Sequence, residues 1–399
     1  MTGFKKIALA YSGGLDTSVA IRWLADEYHA KIVTVTVDLG QGEDLKKIGE
    51  KALMVGAENH YTIDCVEEFA KSYIWPSVRA NGLYQGKYPI STSLGRPLVA
   101  QKLVEVAHRE GCDAVAHGCT GKGNDQLRIE ISAKALDPKL TMLAPTRNWG
   151  MSRDQEIEYA NKHGIPVSKA AKKYSIDENI WGRSIESGPL ENPWTGPTED
   201  GWKLTKSPEA APDRATELEI GFKDGVPVSV DGKQMEPVDL IHYVGNIAGE
   251  NGVGRIDHME DRIVGIKSRE TYECPSAMPI LEAHKDLEKL ILNRHELTFK
   301  KLVDDQWTFM VYAGLWEDPL REDLDAFINK TNERVEGRVR VKLYKGSMIV
   351  TGRESPYSVY DFKTATYDSS STFDQTLSNG FVPLWGLPTV VSRKVMGKK

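Results

Sequence analysis

Near the amino terminus the apolar run 6–10 leads directly into Tyr11-Ser12-Gly13-Gly14-Leu15-Asp16-Thr17-Ser18, and then into an amphipathic stretch, 17–28, with Val19, Ala20, Trp23 and Leu24 on one face. A strand that turns on two glycines straight into a helix favours a chain of parallel β-α units, because the helix must carry the chain back along the sheet. Small residues in such a turn let the backbone approach an anion closely. The free amides and positive end of the helix, together with the hydroxyls of Ser12, Thr17 and Ser18, then suit a pyrophosphate group. The spacing is neither Gly-x4-Gly-Lys-Ser/Thr nor Gly-x-Gly-x-x-Gly. An ordinary glycine-rich turn is the bland alternative.

The rest of the first ~165 residues continues the pattern. Strands are expected at 6–10, 31–37, 60–63, 113–117 and 141–144, and helices at 17–28, 44–55, 67–81, 96–109 and 125–136. That alternation implies an α/β domain with a doubly wound parallel sheet. In such sheets ligands bind beyond the carboxyl ends of the strands. The loops there are 11–18, 38–41 and 118–124, and two of the three are rich in glycine and small polar residues, which points to a single nucleotide site. A second segment begins after Pro166. Five of the chain's 19 prolines fall within 189–212, which reads as an extended excursion. Hairpins are expected at 217–222/226–230 around Lys223-Asp224-Gly225 and at 338–344/348–351 around Lys345-Gly346. Helices are expected at 237–248, 278–313 and 320–335, with further strands through 265–267, so this half is α+β. The apolar tail 381–388 is too short to fold alone and reads as an arm, packed on another subunit or on its own domain. The domain bounds expected are 1–166, 167–365 and 366–399.

Composition narrows the function classes. With 40% hydrophobic and 27% charged residues in 399, the chain reads as soluble and globular. A net charge of −6 disfavours a dedicated nucleic-acid binder. Cys65, Cys112, Cys119 and Cys274 form neither a CxxC nor a zinc spacing, as expected of thiols in a reducing cytoplasm. The run at 7–10 is too short for a signal peptide, and no run approaches membrane-spanning length.

A second dense signal is His117-Gly118-Cys119-Thr120-Gly121-Lys122-Gly123-Asn124-Asp125-Gln126-Leu127-Arg128. Three glycines in six residues permit close backbone approach, and Asn124, Asp125 and Arg128 fall within one turn of a helix start. Asp125 suits an ammonium and Arg128 a carboxylate, by bidentate pairing. Asn124 can serve either. Together they would grip a zwitterionic amino acid. The competing reading is a cap by Asn124 with a surface Asp–Arg pair.

Ser-Gly-Gly-x-Asp followed by Ser/Thr resembles the PP-loop of ATP pyrophosphatases. Tyr88 with Ser93-Leu94-x-Arg96-Pro97, the 117–126 string, Tyr174-Ser175-Ile176-Asp177-Glu178-Asn179, Gly252-Val253-Gly254-Arg255-Ile256-Asp257, Gly265-Ile266-Lys267-Ser268-Arg269 and Glu354-Ser355-Pro356 extend the match in order along nearly the whole chain. Together they resemble the argininosuccinate synthase family, which joins citrulline to aspartate with ATP and releases AMP and diphosphate. The resemblance implies an ATP site at Ala10, Tyr11, Ser12, Gly13, Gly14, Leu15, Asp16, Thr17 and Ser18, completed by Val37 and Gly118. It implies citrulline binding by Tyr88, Ser93, Asn124, Arg128, Ser175, Ser184, Glu260 and Tyr272, and aspartate binding by Thr120, Asn124 and Asp125. It also implies a multimerising second domain and a homotetramer, with no nucleic-acid or membrane partner.

The chemistry so implied needs no covalent side chain, and no Ser-His-Asp or HExxH pattern is visible. The ureido oxygen of citrulline attacks the α-phosphorus, and the aspartate amine then displaces AMP from citrullyl-AMP. Ser12, Asp16, Thr17 and Ser18 would position the pyrophosphate, with Mg²⁺ bound mainly through ATP phosphates rather than protein ligands. Asp16 is expected to cap its helix rather than to orient a magnesium-bound water. Rival classes are a PP-loop tRNA-thiolation enzyme, an amidotransferase synthetase and a non-catalytic nucleotide-binding module. The first lacks its cysteine pair here and the second a glutaminase domain. The third leaves the carboxylate-gripping half unexplained.

Overall fold

The computed structural model describes residues 3–167 and 173–398, in two compact units that divide between Tyr357 and Ser358. The first unit opens with β1 (Lys6–Ala10), α1 (Leu15–Tyr28), β2 (Lys31–Asp38), α2 (Leu45–Val55) and β3 (Asn59–Asp64). There follow α3 (Val66–Phe69), α4 (Trp75–Arg79), α5 (Ser91–Glu110), β4 (Ala114–Ala116), α6 (Asp125–Leu136), β5 (Thr141–Leu143), α7 (Pro145–Asn148) and α8 (Arg153–Lys162). The five strands are all parallel, in the order β3-β2-β1-β4-β5. Beyond Lys6, β1 is apolar because both of its faces are covered. Ile7 and Leu9 pack with Ala20, Ile21 and Leu24 of α1, while Ala8 points the other way, into the cluster holding Leu94 and Leu98 of α5. The chain leaves β1 first toward β2 and β3 and later returns on its other side as β4. The switch point therefore lies between the carboxyl ends of β1 and β4.

The stretch expected as one helix over 67–81 is broken. Between α3 and α4 the backbone widens into a π-turn, Ala70–Ile74. Pro76 cannot donate to the carbonyl of Ser72, and its ring crowds that carbonyl, so the ladder opens just before it. The segment ends on Asn81 with φ 47°.

After residue 173 come β6 (Ser175–Asn179), β7 (Gly182–Glu186), β8 (Thr216–Lys223), β9 (Val226–Val230), β10 (Lys233–Gln234), α9 (Pro237–Glu250), β11 (Arg255–Asp261) and β12 (Lys267–Glu273). Then follow α10 (Ala277–Ile291), α11 (Arg294–Tyr312), α12 (Pro319–Asn332), β13 (Gly337–Tyr344) and β14 (Ser347–Glu354). Two antiparallel sheets result, β11-β12-β7-β6 and β10-β9-β8-β13-β14. The fold is thus a parallel α/β domain followed by an antiparallel α+β half. Where a single helix was expected over 278–313, two occur. Asn293 accepts from the amides of His295 and Glu296 while the Glu296 side chain accepts from the Asn293 amide, a capping box that starts a new helix. Residues 262–266 form the turn between β11 and β12, with Gly265 at φ 86°, so Lys267 begins a strand rather than ending one.

The second unit holds α13 (Phe362–Ala365) and α14 (Ser378–Met396). The apolar tail is helical despite Pro383 and Pro388, and none of its residues is buried.

Candidate active site

The glycine loop joins β1 to α1. The Tyr11 amide donates to Val35 O at 2.8 Å, which ties the loop to β2. Gly13 has φ 74°, and a Cβ there would stand 3.0 Å from Ile48. Gly14 is the N-cap of α1 and no side chain caps the helix, so the first-turn amides stay available to an anion. Around them lie the hydroxyls of Ser12 and Thr17, 3.2 Å apart, and Ser18, which donates to Gly14 O and meets Tyr11 Oη. Lys51 Nζ donates to Gly13 O at 2.7 Å. Leu15 opens α1.

Asp16 does not cap α1. Its carboxylate is engaged by Arg153, at the start of α8, and Arg153 also reaches Glu156 at 3.2 Å. Burial, reinforced by the charge of Asp16, pushes the Glu156 carboxyl up to about 7. Gly118 lies against α1, where a Cβ would come within 2.6 Å of Thr17 Cγ2, so only glycine lets the loop after β4 meet the loop after β1. Val37 is buried near the end of β2, and its carbonyl accepts from Gln41 Nε2 at 3.1 Å.

Beside this loop is a cavity of about 200 Å³. Thr120, Asn124 and Asp125 line it, as do Tyr88, Arg128, Ser184, Glu260 and Tyr272. Ser93 and Ser175 do not. Ser93 is fully buried in α5, its hydroxyl without a hydrogen-bond partner among the described residues, and Ser175 opens β6 in an exposed position. Tyr88 faces the cavity because its hydroxyl accepts from the Thr92 amide at the start of α5 and its ring stacks on Tyr272 at 4.0 Å.

The charged groups form two arms. On one, Asp125 accepts from Arg128 at 2.7 Å and from Arg96 at 2.9 Å, and Arg96 also holds Asp177. Burial disfavours the Asp125 charge, but the two guanidiniums outweigh it and hold its pKa down to about 2. The Asp–Arg pair is therefore an enclosed network, not a surface pair, and Asn124 makes no side-chain cap hydrogen bond to α6. Its side-chain oxygen instead accepts from the Ile263 amide at 3.0 Å, pinning the β11–β12 turn to the 118–124 loop. On the other arm, Arg262 bridges Glu186 and Glu270, and burial with the charge of Glu186 pushes Glu270 up to about 8.

Tyr312, at the end of α11, joins several of these parts. Its carbonyl accepts from Arg128 Nε, its ring lies 4.8 Å from that guanidinium, and its hydroxyl donates to Glu260 Oε1 at 2.5 Å. Tyr272 donates to the other oxygen at 2.6 Å. Asp177, Glu186, Arg262, Glu270 and Tyr312 were not legible as cavity residues from the sequence. The one available signal was that Asp177 stands two residues from Ser175 within a motif already singled out. Under the 118–124 loop, His117 Nδ1 accepts from the Cys119 amide, so Nε2 carries the proton and donates to Glu130 at 2.9 Å. Burial pushes the Cys119 thiol up to about 12, away from the thiolate a nucleophile needs.

Two family profiles match the chain. One, described as the arginosuccinate synthase N-terminal HUP domain, spans residues 6–166, and the other, the arginosuccinate synthase C-terminal domain, spans 174–392. The chain is 52% identical to the argininosuccinate synthase of Pyrococcus furiosus over 391 residues, 98% of this chain and 95% of that one. It is 52% identical to that of Bacillus licheniformis over 400 residues, 100% and 99% of the two chains. The enzyme of Rubrobacter xylanophilus matches at 52% over 389 residues, 97% and 95%. A solved structure described as a predicted subunit of tRNA methyltransferase, from Methanocaldococcus jannaschii, aligns over 39% of this chain at 15% identity with a TM-score of 0.28, a likeness too slight to argue from.

Proposed function

The chain belongs to the argininosuccinate synthase family, and from that premise we propose how its residues carry out the family's reaction. It is a carbon–nitrogen ligase of arginine biosynthesis that joins L-citrulline to L-aspartate with ATP, releasing AMP and diphosphate. One observation carries the residue assignment. The anion-binding loop and a cavity holding both carboxylate-gripping arginines and ammonium-gripping carboxylates meet at the switch point, where Gly118 touches Thr17.

The triphosphate lies along residues 10–18, with the amides of α1 on the β- and γ-phosphates. Ser12, Thr17 and Ser18 add hydroxyl donors, and Val37 and Gly118 border the rest of the nucleotide. The hydroxyls of Ser12, Thr17 and Ser18 are hard oxygen donors that fit magnesium held mainly through ATP phosphates and water. When bound, that ion neutralises charge on the departing diphosphate. Arg128 takes the citrulline carboxylate. Glu260, fixed by two tyrosine hydroxyls, takes its ammonium, and Tyr88, Ser184 and Tyr272 shape the path of the side chain. Ser93 and Ser175 belong to the same assignment by resemblance, although neither borders the cavity. Thr120, Asn124 and Asp125 take aspartate. The ureido oxygen, held in line with the α-phosphorus, displaces diphosphate, and the aspartate amine then displaces AMP. Positioning and preorganised charge supply the rate.

The domain reading is a PP-loop ATP domain over 1–166, a synthetase and multimerisation domain over 167–365, and an oligomerisation arm over 366–399. The gap between the two family profiles supports the first boundary. The apolar, unburied α14 supports the arm and a homotetramer. A cytoplasmic location is supported by four unpaired cysteines, and no helix among the described residues is long and apolar enough to cross a membrane. The test is multiple-turnover AMP release that requires citrulline and aspartate together.

A further inference from the structure

The second half-reaction needs a group to accept a proton from the aspartate amine. The cavity carboxylates are Asp125, Asp177, Glu186, Glu260 and Glu270. Asp125 has both oxygens on guanidiniums, and Glu260 has both on tyrosine hydroxyls. Glu270 is almost fully buried, with one oxygen shared between Arg262 and Ser268. Two carboxylates keep substantial access to the cavity, Asp177 at 38% and Glu186 at 35% side-chain exposure. Glu186 sits on the Arg262 arm. Asp177 shares the Arg96 guanidinium with Asp125, the residue assigned to the aspartate amine. It also lies opposite Ser184 in the β6–β7 register, on the side assigned to citrulline. Asp177 therefore stands on the seam between the two amino acids.

We propose that Asp177 is the general base that takes a proton from the aspartate α-ammonium. This rests on the substrate assignment above. One N–H proton passes to the Asp177 carboxylate, and the freed lone pair forms the C–N bond to the ureido carbon of citrullyl-AMP. The C–O bond to AMP then breaks, its electron pair staying on the phosphate oxygen, and the second nitrogen proton leaves with that oxygen. The guanidinium product keeps one hydrogen on the former aspartate nitrogen. The groups facing Asp177 are Arg96 from α5, Asp125 from α6, the Cys119 thiol, Ser184 from β7 and the Glu178 amide. Desolvation within the cavity wall pushes its carboxyl up, Arg96 opposes that, and the charge of Asp125 adds to the rise. Two neighbouring carboxylates set apart in this way divide into an anchor and a base.

The test is single-turnover kinetics on the full-length enzyme, wild type against Asp177→Asn, Asp177→Glu and Glu186→Gln. Citrulline-dependent diphosphate release without aspartate reports the first half-reaction, and its absence from the wild type would sink the substrate assignment, not the base. With Asp177→Asn, AMP release on adding aspartate should fall about 10²- to 10⁴-fold while diphosphate release stays within about tenfold. The residual rate should climb about tenfold per pH unit across the neutral range, because only free amine then reacts, where the wild type is level. Hydroxylamine, unprotonated at neutral pH, should release AMP from variant and wild type alike, and Asp177→Glu should restore the level profile. Wild-type AMP release from Asp177→Asn, the same loss from Glu186→Gln, or loss of both half-reactions unrescued by Asp177→Glu would each overturn the proposal.

Discussion

Replacing Asp125 with Asn keeps the shape of the side chain and removes its charge between two guanidiniums. In the folded protein, burial works against that charge, but Arg96 and Arg128 hold the pKa near 2 against an ordinary value of 3.8. A depressed carboxyl contributes stability that is fully present above its unfolded pKa and is lost as pH falls through the folded value. A shift of about 1.8 units corresponds to about 2 kcal/mol, and the side chain, 26% exposed, is enclosed enough for that figure to stand undiscounted. Asp125→Asn should therefore unfold at lower urea than the wild type, by about 2 kcal/mol at pH 7. The gap should be constant from pH 7 to 5, narrow below about pH 4 as the unfolded chain's carboxyl takes up its proton, and close only below about pH 2, where the folded carboxyl is neutral as well. Function should split too. Losing a charged hydrogen bond in a desolvated site costs about 2–5 kcal/mol, so aspartate-dependent AMP release should fall roughly 30- to 4,000-fold. Citrulline-dependent diphosphate release should largely persist. Arg128→Ala should instead damage diphosphate release, because it removes the proposed partner of the citrulline carboxylate. A stability gap that already narrows above pH 5, or equal damage to both half-reactions in each variant at matched stability, would refute this division of roles.

Gly13→Val should abolish AMP release, since the backbone φ of 74° and the 3.0 Å approach to Ile48 leave no room for a branched side chain; thermal melting beside the assay separates loop distortion from global unfolding. A variant with all four cysteines replaced by Ala or Ser should keep citrulline- and aspartate-dependent AMP release within about tenfold, apart from packing losses at buried Cys65, Cys112 and Cys274. Glu156→Gln should show the opposite pH trend from Asp125→Asn. The Glu156 carboxyl is raised to about 7, so its contribution is present below its unfolded pKa and lost as pH rises through 7. The Gln variant should gain on the wild type in urea melts between pH 5 and 8, and no change in the gap over that range would contradict the burial argument.

Much of the parallel domain was legible because its signals are local. β1 falls at 6–10 and α6 at 125–136 as expected, the first marked by a run buried on both faces and the second by its polar start after a glycine-rich loop. The breaks within 67–81 and 278–313 depend on finer chemistry. One is set by a single proline, and the other by an Asn–Glu capping box whose pattern is present in the sequence but hidden inside a continuous apolar periodicity. For the cavity, residues within one motif, such as Thr120, Asn124, Asp125 and Arg128, come together because they share a loop and one helical turn. Asp177 from β6, Arg262 from the β11–β12 turn and Tyr312 from α11 reach it from distant parts of the chain, and only the tertiary arrangement brings them there. Ser93 shows the converse limit, since its motif neighbours reach the cavity while its own hydroxyl turns into the core.

The pinning of the β11–β12 turn to the 118–124 loop has a consequence for how the enzyme is born on the ribosome. Every residue of the proposed nucleotide site lies before residue 119, within a sheet that can close from short-range crossovers alone. The cavity proposed for the amino acids is lined by Glu260 and Tyr272, and is not complete until α11 delivers Tyr312. A growing chain thus completes its proposed nucleotide site about two hundred residues before it completes the proposed place for the ureido nucleophile. Nascent chains that have folded only their first sheet would hold the proposed nucleotide half before the cavity that would present the nucleophile is complete.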